Sequence, residues 1–359
     1  MSASRPVLIM AGGTGGHVFP GLAVARVLEQ QGVPVVWLGT RQGLEARVVP
    51  DAGIAVEWLL IRGLRNKGLT GWLLGPLRLF RAVLQAMSVL RRRQPLAVLG
   101  MGGYAAAPGG VAAWLLRRPL VIHEQNAVAG LTNRCLARLA SRVLSAFPAA
   151  FPERFAVEVV GNPVRADILR LGETPARAPV RGRRLRVLVV GGSLGAQVLN
   201  RAVPAACASL EESVRPVIRH QAGERTLGLA REAYATHGVE AEVTPFIDDM
   251  AEAYSWADLV ICRAGALTVS ELAVAGVPAI LVPLPHAVDD HQTANARHLA
   301  DNDAGWLLPE SELSPRRLAA LLTGAIEQPE ALAGMSTRAR ELGWRDSAER
   351  VARHCLEVA

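Results

Sequence analysis

Two short glycine-rich loops, each directly behind an apolar run, constrain this chain of 359 residues more than any other feature. Val7-Leu-Ile-Met10 leads into Gly12-Gly-Thr-Gly-Gly-His17, and Leu185-Arg-Val-Leu-Val-Val190 leads into Gly191-Gly-Ser-Leu-Gly-Ala196. An apolar run ended by glycines, with a helical pattern behind it, marks a buried strand turning into a helix. Such a turn lets backbone N–H groups approach an anion, and the helix N-terminus adds a partial positive charge. The loops begin 179 residues apart, a domain-sized interval. Val35–Leu38, Leu96–Leu99 and Leu120–Ile122 continue the pattern after the first loop. Val217–Ile218, Leu259–Ile261 and Ala279–Val282 do so after the second. Strands alternating with helical stretches predict an α/β chain of two Rossmann-like domains in tandem, joined near Gly161-Asn-Pro-Val-Arg165.

Half of the residues are hydrophobic, which fits a globular protein with a core in each domain. Cys135, Cys207, Cys262 and Cys355 lie far apart without a CxxC, and read as buried apolar residues in a reducing compartment. Val7–Ala11 is too short for a signal-peptide core. Ala97–Leu116 runs 20 residues without a charge, but five glycines and Pro108 divide it into strand, turn and helix rather than a membrane span. The net charge of +7 is unevenly spread: residues 1–165 hold 19 Lys+Arg against 7 Asp+Glu. Between Glu57 and Glu124 stand ten basic residues and no acid, suggesting either a solvated face or a surface for anionic groups.

Neither loop is a dinucleotide fingerprint. The first would need glycine at Val18, and the second strand ends Gly39-Thr40-Arg41 without the acid that holds a ribose. Arg41 keeps an NADP enzyme open as a weak alternative. Gly191–Gly195 also matches the G-x-S-x-G of a hydrolase, although Ser193 beside exposed N–H groups suits a phosphate equally. His286, Asp289, Asp290 and His291 fit no strong metal template, and His123-Glu124 lacks the second His of HExxH. His17 sits in the first turn of its helix, where the positive end favours a neutral ring able to take a proton. Thr268-Val-Ser-Glu271 has the form of a capping box.

Seven segments together carry a resemblance: Met10–Ala25, Gly100–Gly110, His123–Asn126, Gly161–Arg165, Gly191–Ala196, Phe246–Met250 and Arg263–Glu271. In order and spacing they closely resemble the MurG family, peripheral membrane enzymes that add N-acetylglucosamine (GlcNAc) to lipid I to make lipid II. The resemblance implies a GT-B fold, two Rossmann-like domains whose parallel sheets face a central cleft. An acceptor-binding, membrane-associating domain would span 1–164 and a UDP-GlcNAc domain 165–345, with a helix at about 346–359 packing back on the first. It implies that the backbone at Ile247 reads uracil and that Glu271 takes the ribose hydroxyls. Ser193 and the N–H groups of Ala266, Leu267 and Thr268 would hold the diphosphate, in a donor segment that continues through Val269 and Ser270. Thr14, Gly15, Gly16, Asn126, Arg165 and Gln292 would meet donor groups and sugar. On the acceptor side it implies Gly102, Gly103 and Tyr104, with His17 and Glu124 as catalytic candidates. His17 is the first choice of base and Glu124 the second. Leu194 and His291 depart from glutamines that some members carry there.

The implied reaction is inverting: the C4 hydroxyl of N-acetylmuramic acid (MurNAc) attacks the anomeric carbon of UDP-GlcNAc and forms a β1→4 bond. Helix dipole and backbone donors would absorb the leaving-group charge, so no metal site and no cofactor are expected. The implied partners are UDP-GlcNAc, lipid I (undecaprenyl-pyrophosphoryl-MurNAc-pentapeptide), an anionic membrane surface, and cell-wall or division proteins. Nucleic acid is disfavoured by three tyrosines and no recognised motif. Leu69, Trp72, Leu73, Leu74, Leu77 and Phe80 among Arg65, Lys67, Arg78 and Arg81 suggest a peripheral footprint at the cytoplasmic face of the inner membrane. An ordinary amphipathic helix packed on the sheet is the alternative for that stretch.

Overall fold

The computed structural model describes residues 5–61, 75–175, 177–178, 180–192, 195–285 and 288–359. The chain divides into two compact units, Met1–Arg165 with Arg345–Ala359, and Ala166–Trp344. The first holds seven parallel strands: β1 (Val7–Met10), β2 (Val35–Gly39), β3 (Ala55–Trp58), β4 (Val98–Gly100), β5 (Leu120–Glu124), β6 (Arg142–Ser145) and β7 (Val157–Val159). Their order in the sheet is β3-β2-β1-β4-β5-β6-β7. All four residues of β1 are fully buried because both faces of the sheet are covered. Leu8 and Met10 pack with Ala82, Ala86 and Leu90 of the helix Gly75–Arg93. Val7 and Ile9 belong instead to a core with Val24 and Leu28 of the helix Gly15–Gln30. Val351, Ala352 and Cys355 of the helix Ser347–Glu357 join this second core, so the end of the chain is built into the first unit.

The second unit repeats the plan with β8 (Arg186–Val190), β9 (Val217–Gln221), β10 (Glu242–Thr244), β11 (Leu259–Cys262), β12 (Ala279–Leu281) and β13 (Gly305–Leu307). Their order is β10-β9-β8-β11-β12-β13, again all parallel. Val187 and Val189 pack with Leu199, Val203 and Leu322 from flanking helices. In each unit the first strand lies between neighbours reached in opposite directions: β2 and β4 flank β1, β9 and β11 flank β8. Such a reversal opens a crevice at the carboxyl ends of the strands, where ligands bind in doubly wound sheets.

One expectation holds and two change. Ala97–Leu116 is β4, a glycine turn and the helix Ala106–Leu115, as its breakers imply. Cys135 is exposed, while Cys207, Cys262 and Cys355 are buried. Thr268–Glu271 is no cap: the helix begins at Ala266 with Gly265 as its cap residue, so all four positions lie inside it. Leu69, Trp72, Leu73, Leu74, Arg65 and Lys67 fall outside the described residues.

Candidate functional site

Parallel strands put the loop after every strand at one end of a sheet, and the expected site residues follow that rule. In the first unit, Gly12–Gly16 follows β1, Gly102–Tyr104 follows β4 and Gln125-Asn126 follows β5. Thr14, at φ −106° and ψ 160°, is the cap residue of the helix Gly15–Gln30 and makes no side-chain capping bond. His17 is the third residue of that helix, and its Nδ1 lies 2.7 Å from Gln125 Oε1. Gly102, at φ +93°, leaves room for the ring, since a Cβ there would lie 3.2 Å from His17 Cε1. Gly103, at φ +77°, lies so close to the first loop that its Cβ would stand 2.5 Å from the Gly12 carbonyl oxygen. Two of the three expected acceptor residues thus serve first to let the β4 loop press against the β1 loop and its histidine.

Tyr104 reaches the same loop through a relay. Its hydroxyl is 3.0 Å from Thr40 Oγ1, and Thr40 Oγ1 donates to Glu45 Oε1 at 2.8 Å. Glu45 is fully buried, and its other oxygen accepts from the Gly13 N–H at 2.9 Å. Trp37 adds a second tether, donating from Nε1 to the Ala11 carbonyl at 2.9 Å. Neither Glu45 nor Trp37 carries a motif, so only the long-range contacts reveal their part in holding this loop. The Arg165 guanidinium stacks over the Phe19 ring at 5.7 Å, at the end of the unit.

Glu124 is 2% exposed and all its accepting capacity faces donors. Oε1 accepts from Asn126 N and Nδ2 at 3.0 and 3.1 Å, and Oε2 from Gly130 N and Asn133 Nδ2 at 3.1 and 2.9 Å. Four donors hold the carboxylate in place and fix the turn from Asn126 to Gly130. Beside it, His123 is fully buried, and loss of solvation pushes its imidazole down to about 4. This ring is therefore neutral near pH 7.

In the second unit the β8 loop is pinned by Gln221, at the end of β9. Its Oε1 accepts from Gly192 N at 3.0 Å, and its Nε2 donates to the Gly192 and Pro245 carbonyls, each at 3.0 Å. Gly195, at φ +75°, has no room for a side chain: a Cβ would sit 2.4 Å from the Ala222 carbonyl oxygen. Ser193 and Leu194, the centre of this loop, lie outside the described residues. After β11, Ala266, Leu267 and Thr268 form the first turn of the helix Ala266–Ala275. Val269 N–H donates to the Gly265 carbonyl at 2.9 Å and closes the first turn, so the N–H groups before it point out of the N-terminus. Glu271 is buried and accepts from the Tyr254 hydroxyl at 3.2 Å, while Ser270 Oγ donates to the Ala266 carbonyl at 3.0 Å. Ile247 lies in the turn after β10, ahead of the helix Met250–Trp256 whose N-cap Asp249 accepts from Glu252 N at 2.8 Å. Gln292, in the first turn of the helix His291–Ala300, accepts from Leu284 N at 3.0 Å. Buried Asn295 of the same helix donates to the Ala264 carbonyl at 3.1 Å, tying the β11 loop to it.

Among the described residues, no three His, Cys, Asp or Glu side chains form a group that could hold a metal ion. His286 lies outside the described residues. Comparison with known proteins decides the family. Residues 7–145 match the glycosyltransferase family 28 N-terminal domain, and residues 186–351 match the family 28 C-terminal domain. The chain belongs to glycosyltransferase family 28, among its MurG enzymes. A relative from Alkalilimnicola ehrlichii named UDP-N-acetylglucosamine--N-acetylmuramyl-(pentapeptide) pyrophosphoryl-undecaprenol N-acetylglucosamine transferase is 65% identical, with 99% of each chain covered. A protein of the same name from Pseudomonas aeruginosa is 53% identical, with 98% of each covered. The crystal structure of Acinetobacter baumannii MurG aligns with a TM-score of 0.82 at 42% identity, covering 98% of this chain and 99% of that one. Family 28 membership leaves no place for the NADP or hydrolase alternatives. It also accounts for the glycine loops without a dinucleotide fingerprint.

Proposed function

We infer that this protein transfers GlcNAc from UDP-GlcNAc to the C4 hydroxyl of MurNAc in lipid I, inverting the anomeric centre and forming the β1→4 disaccharide of lipid II. The observation that carries this is full-length identity of 65% to a relative bearing that activity in its name, with both family 28 domains matched. In the second unit, the outward N–H groups of Ala266–Thr268 suit the diphosphate, with Ser193 as a further donor. Their helix dipole opposes the negative charge that grows on departing UDP, without requiring a metal. Ile247 and Glu271 are assigned to uracil and ribose, and Val269, Ser270 and Gln292 to the rest of the donor site. Thr14, Gly15, Gly16, Asn126 and Arg165 are assigned to donor groups from the first unit, and Gly102, Gly103 and Tyr104 to the acceptor.

His17 is the proposed base. Glu124 is engaged by four donors, which supports a positioning role for it. His17→Ala is expected to lower turnover about 10²–10⁴-fold, the usual contribution of a general base. Near-normal turnover would remove His17 from the role. Glu124→Gln sets an amide N–H against existing donors and is expected to cost about 1–3 kcal/mol of stability, while the pH profile of turnover keeps its wild-type shape.

The first unit is proposed to meet the cytoplasmic leaflet peripherally. Leu77, Phe80 and Leu84 are 58%, 59% and 48% exposed on the helix Gly75–Arg93, which also carries Arg78 and Arg81. Among the described residues no helix is long and apolar enough to cross a membrane. Incubation with UDP-GlcNAc and a short-chain lipid I analogue, with and without EDTA, tests the reading. Disaccharide-lipid formed at equal rates in both is expected. Absence of product in both would overturn the activity, and loss only with EDTA would overturn the metal-free leaving-group step.

A further inference from the structure

Two buried backbone carbonyls decide which nitrogen of His17 carries the proton. The His123 carbonyl oxygen can only accept, so the end of the Gln125 side chain lying 3.0 Å from it is the NH2 group. That same NH2 stands 3.0 Å from His123 Nδ1. His123 Nε2 is 2.9 Å from the Gly161 carbonyl oxygen, which likewise only accepts. His123 therefore donates from Nε2 and accepts at Nδ1, and both hydrogens of the Gln125 amide are used. Gln125 Oε1 is then left facing His17 Nδ1 at 2.7 Å, and that nitrogen must be the donor. Gln125 and His123 are 1% and 0% exposed, so water does not compete for these bonds.

We propose that Gln125, oriented by His123 and the Gly161 carbonyl, is a positioning residue that locks His17 as the Nδ1–H tautomer and so places the proton-accepting lone pair on Nε2. A neutral imidazole free in water favours the opposite tautomer, with the proton on Nε2, which cannot take a proton there. The lock thus makes the base competent before substrate arrives, and it holds the ring against rotation. Asn133 extends it, donating from Nδ2 to the His123 carbonyl at 3.1 Å and to Glu124 Oε2 at 2.9 Å. His123 and Glu124 thereby share one scaffold for His17. The proposal rests on His17 being the base, and its test separates the two ideas.

Long-range ¹⁵N–¹H correlation spectra of histidine-labelled protein report each tautomer directly, with His17 assigned from the spectrum of His17→Ala. Wild type is expected to show a protonated Nδ1 and an unprotonated Nε2 in the neutral ring of His17. In Gln125→Met, close in volume but without either polar end, His17 is expected to revert toward the Nε2–H form. Its turnover is expected to fall about tenfold or more with the KM for UDP-GlcNAc within about twofold. A protonated Nε2 in the wild-type ring overturns the lock. So does unchanged turnover in Gln125→Met when His17→Ala is inactive, whereas an active His17→Ala overturns the base reading instead. If Gln125→Met fails to fold, the wild-type spectrum alone still decides the tautomer.

Discussion

Gly103 stands at φ +77° with the place of a side chain taken by the Gly12 carbonyl, so this one position joins the β1 and β4 loops by excluding everything but hydrogen. Alanine there meets a backbone atom that cannot swing aside. Left-handed backbone alone costs a non-glycine residue about 1–2 kcal/mol, and the clash adds to it. Gly103→Ala is expected to lower the urea midpoint and to reduce turnover by displacing His17. A second effect at this scale is pH dependence. His123 is pushed down to about 4 and His220 to about 3, in both cases by burial, while each titrates near 6.5 once unfolded. Below pH 6.5 the unfolded chain binds protons that the folded chain refuses, so these groups make stability fall as pH drops from about 6.5 to about 4. Each contributes a slope of up to about 1.4 kcal/mol per pH unit. His220 sits between the Tyr234 hydroxyl at 2.9 Å and Asn200 Oδ1 at 3.0 Å. Gln in its place can keep both bonds without titrating. Urea midpoints measured from pH 7 to 4.5 are expected to fall less steeply for His220→Gln than for wild type, and an unchanged slope would contradict the burial argument.

The elements that were legible are those with continuous apolar runs. Val7–Met10 and Leu259–Cys262 are central strands buried on both faces, and their sequences announce it. Ala55–Trp58, Val157–Val159, Glu242–Thr244 and Gly305–Leu307 gave no such signal, for a common reason. They are the edge strands of the two sheets, short and partly exposed, and three of them carry glutamate between or beside apolar residues. The glycine loops were visible, but what holds them was not. Glu45, Gln125 and Gln221 act over sequence separations of 32, 108 and 29 residues, and no local pattern can encode that. Gln221→Ala removes two hydrogen bonds from the β8 loop and the one that ties it to the Pro245 carbonyl, and is expected to raise the KM for UDP-GlcNAc more than it lowers kcat. The helix Gly75–Arg93 supplies a separate prediction, because Leu77 and Phe80 are exposed on it next to arginines. Burying each in a bilayer is worth about 1.5–3 kcal/mol. Leu77→Glu with Phe80→Glu is therefore expected to weaken binding to phosphatidylglycerol vesicles at least about tenfold. Activity on a water-soluble short-chain acceptor should stay within about twofold.

At the scale of the whole molecule, the chain uses one architectural plan twice. Both units place a glycine loop after the first strand of a parallel sheet, beside the reversal in strand order. The copies have diverged in what surrounds that loop. The first gathers a histidine, buried amides and two carboxylates, whereas the second turns a helix N-terminus outward after β11. The base proposed in one unit and the anion site proposed in the other are the two things an inverting transfer from a nucleoside diphosphate sugar demands. That pairing predicts stereochemistry as well as product. The decisive measurement is the NMR spectrum of the disaccharide released from product made with UDP-GlcNAc and a short-chain lipid I analogue. A large anomeric coupling with linkage to C4 of MurNAc is the expected result, since attack opposite the departing UDP turns the α donor into a β1→4 bond. An α-linked disaccharide, attachment at another hydroxyl, or no transfer at all would contradict the account.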